Sequence, residues 1–294
     1  MKFKKAKEVA LEVGAKKYKA SFETLPASAM PGVKSEKSTD EEIESAVRAD
    51  SNRLRAELVA LQVKLYAESK QGLLVVLQAM DTGGKDGCIR NVYSGCNPAG
   101  ISIARFERPT ANELAHDYLW RVHSKVPSSG QITIFNRSHY EDVLIARVQK
   151  LVPKAQWEKR YEHIRHFEKL LADEGTRIIK LYLHIDKAEQ KVRLQARLDD
   201  SEKNWKFDPN DLLQREHWSD YMEAFAEAVH KTHQKCAPWF VIPANNKWYR
   251  DWAVLKIVVA ELTAMNPKFP KPTYDPKTIV ISYIEYISCL ALIF

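Results

Sequence analysis

Cysteine is scarce in this 294-residue chain, and its placement excludes two chemistries. Cys88, Cys96, Cys236 and Cys289 form no C-x-x-C pair, and no neighbouring histidine completes a zinc pattern. A reduced, cytoplasmic setting fits that usage. No secretory signal is expected either: Met1-Lys2-Phe3-Lys4-Lys5 is basic, but no apolar stretch follows it. No internal repeat and no long low-complexity segment occurs. Long apolar runs are absent with one exception, residues 278–294, which Glu285 and two serines interrupt. That length is at the lower limit for a membrane span and a charge sits near its middle, so no membrane contact is expected. A packed strand, an oligomer contact and a non-native extension all stay open for it.

What is present suffices for a globular enzyme or binding domain. Apolar residues make up 45% and charged residues 28%, with seven Trp and twelve Tyr. Such a composition buries a substantial core and excludes a mainly disordered chain. The formal charge of +7 and pI of about 9.0 fit nucleic acid, acidic lipid or a polyanionic substrate. Charge alone does not choose among them, and many basic proteins bind none.

Residues 1–38 read as an irregular arm containing Pro26, Pro31 and Gly32. Thr39 or Asp40 can cap the helix that follows, with Glu41 and Glu42 in its first turn. Ile43, Val47, Leu54, Leu58, Leu61 and Leu65 recur at helical spacing, which predicts one long amphipathic helix to about Lys70, ended by Gly72. Leu73 to Leu77 is then a continuous apolar run, the pattern of a strand buried on both faces in a parallel sheet. Similar runs span Ile101 to Phe106, Ile132 to Phe135, Ile178 to Ile185 and Trp239 to Ile242. Helical stretches alternate with them, among them Glu113 to Val122, Trp157 to Glu174 and Leu212 to His233. The alternation predicts a three-layer α/β fold on a parallel five-stranded sheet, with an N-terminal helical extension.

The first strand runs into Gln78-Ala79-Met80-Asp81-Thr82-Gly83-Gly84-Lys85-Asp86-Gly87, and a helix through Ile89 and Val92 follows. Strand, glycine turn, lysine and helix make the arrangement of a phosphate-binding loop. Gly83 and Gly84 let backbone N–H groups converge on phosphate oxygens, and the helix N-terminus adds partial positive charge. Lys85 would reach the phosphate being transferred. Two departures from the Walker A pattern matter: Ala79 replaces the first glycine, and Asp86 replaces the hydroxyl residue that helps hold Mg2+. The metal then needs another anchor, and Asp81 is the candidate. The competing reading is an ordinary strand-to-helix turn with a solvated lysine.

The third strand ends in Asn136-Arg137-Ser138-His139-Tyr140-Glu141-Asp142, and polar groups at the carboxyl ends of parallel strands face the ligand crevice. Arg137 suits bidentate phosphate contacts. Glu141 and Asp142 could position metal, water or an incoming phosphate, whereas His139 reads first as a structural residue that caps the next helix. Arg90 could track a long polyanion away from the loop. Trp120, Trp205, Trp239 and Trp248 suggest stacking platforms, but tryptophans at such spacing are usually core.

Both strings resemble the polyphosphate kinase 2 family. So do Pro109-Thr110 leading to His116-Asp117-Tyr118-Leu119-Trp120-Arg121, Arg197-Leu198-Asp199-Asp200 with Trp205-Lys206-Phe207, and Ala237-Pro238-Trp239. The resemblance covers roughly residues 40–265. It implies a P-loop kinase core over 39–265, a helical lid at about 186–215 and a tail over 266–294. It also implies direct, Mg2+-assisted phosphate transfer between inorganic polyphosphate and an adenine nucleotide. Carried over by position, Asp81 would be the metal-linked carboxylate, Lys85 the loop lysine and Arg137 the phosphate-holding arginine, all three catalytic; Glu141 is a further candidate for the metal and the catalysis. Thr82, Gly83, Gly84, Lys85, Asp86, Gly87, Arg90, Arg137, Arg193 and Arg197 would hold phosphates, and Asn136, Asp142 and Lys206 the nucleotide.

Several relatives have Asp where this chain has Asn136, and the Asn form resembles the subtype that accepts both AMP and ADP. Losing that carboxylate removes repulsion against an extra phosphate. The stretch Ala244-Asn245-Asn246-Lys247-Trp248 departs from the family pattern, with amides where relatives usually show an Asp followed by Asp, Arg or Lys. The family also implies a homodimer or homotetramer. The nearest alternative is an ATP-dependent nucleoside mono- or diphosphate kinase, which shares the fold. A nucleic-acid binder is disfavoured, because Asp81 and Asp142 beside a phosphate loop would repel it.

Overall fold

The computed structural model describes residues 5–11, 22–33 and 38–279. Thr39 opens the first long element. Its hydroxyl accepts from the Glu42 N–H at 3.3 Å, and the Glu42 carboxylate accepts from the Thr39 N–H at 2.9 Å. That reciprocal cap satisfies two otherwise unpaired donors. Helix α1 then runs over Asp40–Glu68 and buries Ile43, Val47, Leu54, Leu58 and Leu65 as one stripe. It stops at Ser69, in the left-handed conformation (φ 52°), so Gly72 is not the stop but the first residue of β1 (Gly72–Ala79).

The chain continues through α2 (Lys85–Val92), β2 (Ile101–Arg105), α3 (Ala111–Leu114), α4 (Trp120–His123), β3 (Ile132–Asn136), α5 (Ile145–Val148) and α6 (Lys154–Asp173). Next come β4 (Thr176–His184), α7 (Lys187–Leu198), α8 (Asn210–Glu216), α9 (Trp218–Thr232), β5 (Trp239–Pro243) and α10 (Lys247–Met265). All four strand pairings are parallel, in the order β2-β3-β1-β4-β5. The predicted five-stranded parallel sheet is therefore present, with helices between the strands as in a P-loop kinase. β1 lies at its centre, and every one of its residues is buried. Each of its Leu and Val side chains contributes roughly 1.5–3 kcal/mol by leaving water. Helices α1, α2 and α10 pack together, and α5, α6 and α9 form a second group.

Three predicted elements differ. The helix expected over 113–122 is two single turns, α3 and α4. A Thr110–Glu113 capping box starts the first, and the Asp117 carboxylate accepts from the Leu119 N–H at 2.9 Å between them. That local bond offers the backbone an alternative to continuing the helix. The helix expected over 212–233 breaks at His217 into α8 and α9. The arm is not wholly irregular: Val9 and Phe22 sit in short 3-10 turns and are fully buried. The Leu11 N–H donates to Val241 O at 2.8 Å, which pairs part of the exposed edge of β5. Most of the apolar run over 278–294 lies outside the described residues. Among the described residues no helix is long and apolar enough to cross a membrane.

Candidate active site

The loop between β1 and α2 is held in an unusual backbone shape. Gly84 has φ 93°, and a Cβ there would lie 2.1 Å from Arg250 Nη1. Thr82 has φ 61°, costly for a β-branched residue and sustained only when the surroundings hold it. Two side chains of α7 supply that hold. Gln190 Nε2 donates to Asp81 O at 3.1 Å, and Arg193 Nη1 donates to Thr82 O at 3.2 Å. They engage carbonyls that would otherwise repel a bound anion. Lys85 opens α2, and its ammonium curls back to donate to Ala79 O at 3.2 Å. Burial lowers its pKa, helped by the Arg137 charge and opposed by Asp81, Glu141 and Asp86.

The end of β3 meets this loop directly. Arg137 also adopts a left-handed backbone (φ 61°), and its Nη2 lies 2.6 Å from Asp81 Oδ1. Asn136 Nδ2 donates to Asp86 Oδ1 at 2.7 Å. The amide at Asn136 thus makes a bond with Asp86 that an ionised carboxylate could not. The charge of Glu141 is the largest influence raising the Arg137 pKa. Burial raises the Glu141 pKa, against the pull of Arg137 and Lys85. Gln78 spans the turn: its amide oxygen accepts from Ser138 Oγ at 3.0 Å while its nitrogen lies 3.0 Å from Glu141 Oε1.

A cavity of about 740 Å3 opens above the loop. Thr82 to Gly87 line it with Arg90, Arg137, Arg193 and Arg197, and so do Asp81, Asn136 and Lys206. Two predicted residues do not. Glu141 faces the Gln78 amide nitrogen at 3.0 Å, and Asp142 turns to Arg160, with Nη1–Oδ1 at 3.0 Å. Asp142 lines a second cavity of about 720 Å3 instead, beside Tyr118 and His163. The two cavities adjoin along the chain, since Arg108 lines the first and Pro109 the second. Arg121 of the second donates to the carbonyl of Glu107, which lines the first, at 2.9 Å.

Several predicted residues have more specific jobs than their charge suggested. Arg193 donates to Glu189 Oε1 at 2.7 Å, to Ala244 O at 2.6 Å and to Asn245 O at 3.0 Å as well as to Thr82 O. Its guanidinium braces the loop against the end of β5. Arg197 is paired with Asp211 Oδ2 at 3.1 Å, and Lys206 lies 4.9 Å over the exposed ring of Trp205. Asn245 joins that brace, donating to Asp186 Oδ2, at the α7 N-cap, at 2.7 Å. The unusual amide stretch therefore contacts α7. His139 does not cap: Ser138 does, by accepting from the Tyr140 N–H at 3.1 Å, and His139 is fully buried. Trp239 is core, whereas Trp120 is partly exposed and stacks on His116 at 4.1 Å.

Sequence reasoning missed Arg105, Arg108, Lys247 and Arg250, all of which line the first cavity. The strand-end argument applied to β3 would have found Arg105 and Arg108 after β2. With them, eleven cations face six carboxylates across the cavity, a surplus suited to a ligand carrying many negative charges. No cluster of three or more His, Cys, Asp or Glu suited to a metal occurs among the described residues. The carboxylates that line the cavity, Asp81 among them, are oxygen donors of the kind a hard divalent cation would use.

The sequence and the fold have close relatives. Residues 41–270 match the family described as Polyphosphate kinase 2 (PPK2). The chain is 55% identical over 228 residues to the AMP/ADP-polyphosphate phosphotransferase of Meiothermus ruber, a span covering 78% of this chain and 85% of that protein. It is 42% identical over 225 residues to the ADP-polyphosphate phosphotransferase of Rhodopseudomonas palustris, covering 72% and 78% respectively. The crystal structure of polyphosphate kinase 2 from Arthrobacter aurescens TC1 aligns with a TM-score of 0.86 at 38% identity, over 94% of this chain and 95% of that one.

Proposed function

This chain belongs to the polyphosphate kinase 2 family, and we propose that it transfers the terminal phosphate of inorganic polyphosphate to AMP and ADP, reversibly. The observation that carries this reading is the meeting of a lysine loop with Arg137 and Asp81 on the wall of a strongly cationic cavity. The polyphosphate terminus lies on the loop N–H groups, with Lys85 released from Ala79 O to the transferred phosphate. Arg137 spans donor and acceptor phosphates. Phosphoryl transfer has a loose, charge-rich transition state, so positioned cations supply most of the catalysis. The acceptor phosphate is already anionic and attacks in line without a strong general base. Asp81 and Glu141 would hold Mg2+, which would supply positive charge against the charge developing on the phosphates.

Helices α7 and α8 act as a lid over residues 186–215 and exclude water that would hydrolyse the donor. The adjoining second cavity gives the nucleoside a place beside Tyr118, with its phosphates reaching back to Arg137. Acceptance of both AMP and ADP is supported by the name of the Meiothermus ruber relative and by the neutral Asn136. A dimer or tetramer is the assembly the family resemblance implies, to be read by size-exclusion chromatography with light scattering. The deciding experiment incubates enzyme, Mg2+ and AMP or ADP with long-chain polyphosphate and no ATP. Formation of ADP or ATP supports the reading; activity only with an ATP donor replaces it with a conventional nucleotide kinase.

A further inference from the structure

A fully buried polar network lies under the turn that carries Arg137 and Glu141, and the proposed mechanism does not use it. Lys180 is in the middle of β4, paired in register with Trp239 of β5, and its side chain is 0% exposed. Its three N–H donors meet three acceptors: Glu168 Oε2 at 2.5 Å, Thr232 O at 2.8 Å and Tyr140 Oη at 3.0 Å. The Tyr140 hydroxyl in turn donates to Glu168 Oε1 at 2.7 Å. Trp239 Nε1 donates to Thr232 Oγ1 at 2.9 Å, and the Trp239 ring meets the Tyr140 ring edge-on at 4.8 Å. Five segments therefore converge: the turn after β3, α6, β4, α9 and β5.

An ion pair taken wholly out of water is a poor way to add stability, because well-packed apolar residues of similar volume do as well or better. Its geometry adds something that apolar packing does not, a single satisfied arrangement. The fixed point is Tyr140. It stands three residues after Arg137, whose left-handed backbone needs external support, and immediately before Glu141. Ser138 and Gln78 tether the same turn from the side of β1. The turn is thus held at both ends, with Arg137 and Glu141 beside the tethered residues.

We propose that Tyr140, Glu168 and Lys180 are positioning residues that fix the 137–142 turn, so that Arg137 stays against Asp81 and Glu141 stays against Gln78. The proposal rests on the phosphotransferase reading above. None of the three touches substrate. Loosening them lowers turnover by misplacing Arg137, while ground-state binding of polyphosphate, which the rest of the cationic cavity supplies, changes little.

The test compares wild type, Tyr140→Phe, and the volume-matched triple variant Tyr140→Phe/Glu168→Leu/Lys180→Met. Thermal unfolding and steady-state kinetics with polyphosphate and ADP are measured on each. The expected result is a melting temperature of the triple variant within a few degrees of wild type. Its kcat falls about 100-fold and that of Tyr140→Phe about 10-fold, with KM for polyphosphate within about threefold in both. A merely structural role predicts lost stability with normal kcat per folded molecule, and that result overturns the proposal. Should the triple variant fail to fold, Tyr140→Phe decides alone, and a kcat within twofold of wild type overturns it. Absence of transfer by wild type itself would instead remove the phosphotransferase reading.

Discussion

Two arginines face the same cavity and do opposite things. Arg137, at the end of β3, keeps 39% of its side chain exposed and leans on a single carboxylate, Asp81. Arg193, on α7, keeps only 8% and spends its donors on Glu189 and three backbone carbonyls. The first is free to exchange a protein partner for a phosphate. The second is committed to holding the loop's strained backbone at Thr82. The family resemblance implies phosphate binding for both, but hydrogen-bond saturation separates a ligand-facing group from a bracket.

Four measurements can break or sharpen that contrast. Lys85 belongs with Arg137 on the ligand-facing side. Lys85→Ala should lower kcat by roughly 10^3-fold or more with little change in melting temperature. Near-normal turnover would remove it from the chemistry. Arg193→Met should lose about 3 kcal/mol in chemical denaturation because buried carbonyls are left without donors, and turnover should fall with it. A variant that loses activity but keeps full stability would place Arg193 with Arg137 instead.

Asp211, paired with Arg197, sharpens the contrast by pH. Burial and the Asp81 charge push its pKa up to about 6. The folded state therefore holds a proton that the unfolded chain has already lost between an ordinary aspartate's value and about pH 6. Its contribution to stability falls as pH rises through that window and stays low above it. Asp211→Asn should accordingly compare better with wild type in melting temperature at pH 7.5 than at pH 4, and an equal difference at both would refute the shift. The smallest effect is expected at the cavity rim. Arg105→Gln should raise KM for polyphosphate about two- to fivefold and flatten its salt dependence, leaving kcat near wild type.

Legibility followed locality. The cap at Thr39, the buried run of β1 and the lysine loop each depend on residues within about ten positions of one another, and the sequence showed them. The break in the helix predicted over 113–122 has no sequence signal because one local bond, from the Leu119 N–H to the Asp117 carboxylate, outweighs apolar spacing over a single turn. Phe22 gave no signal, since its partners Tyr182 and His184 lie far along the chain. Glu141 and Asp142 are adjacent acids that sequence does not tell apart. The turn sends one to the Gln78 amide and the other to Arg160 and a different cavity.

By itself the sequence determined the parallel α/β plan and the pattern of the phosphate loop, and its motifs carried the family resemblance that implies a polyanionic ligand. The first two follow from apolar period and glycine placement, which act over short stretches of chain. Only the tertiary structure decided which cations stay free for phosphate and which are consumed by carbonyls. It also showed that Lys180, a lone lysine in an apolar strand, has all three donors engaged in a buried network beneath the 137–142 turn. The reason is that a charged group's role depends on how many of its donors already have partners. Those partners come from the loop after β1, the turn after β3, the chain just past β5, α6 and α9, brought together only when the sheet closes.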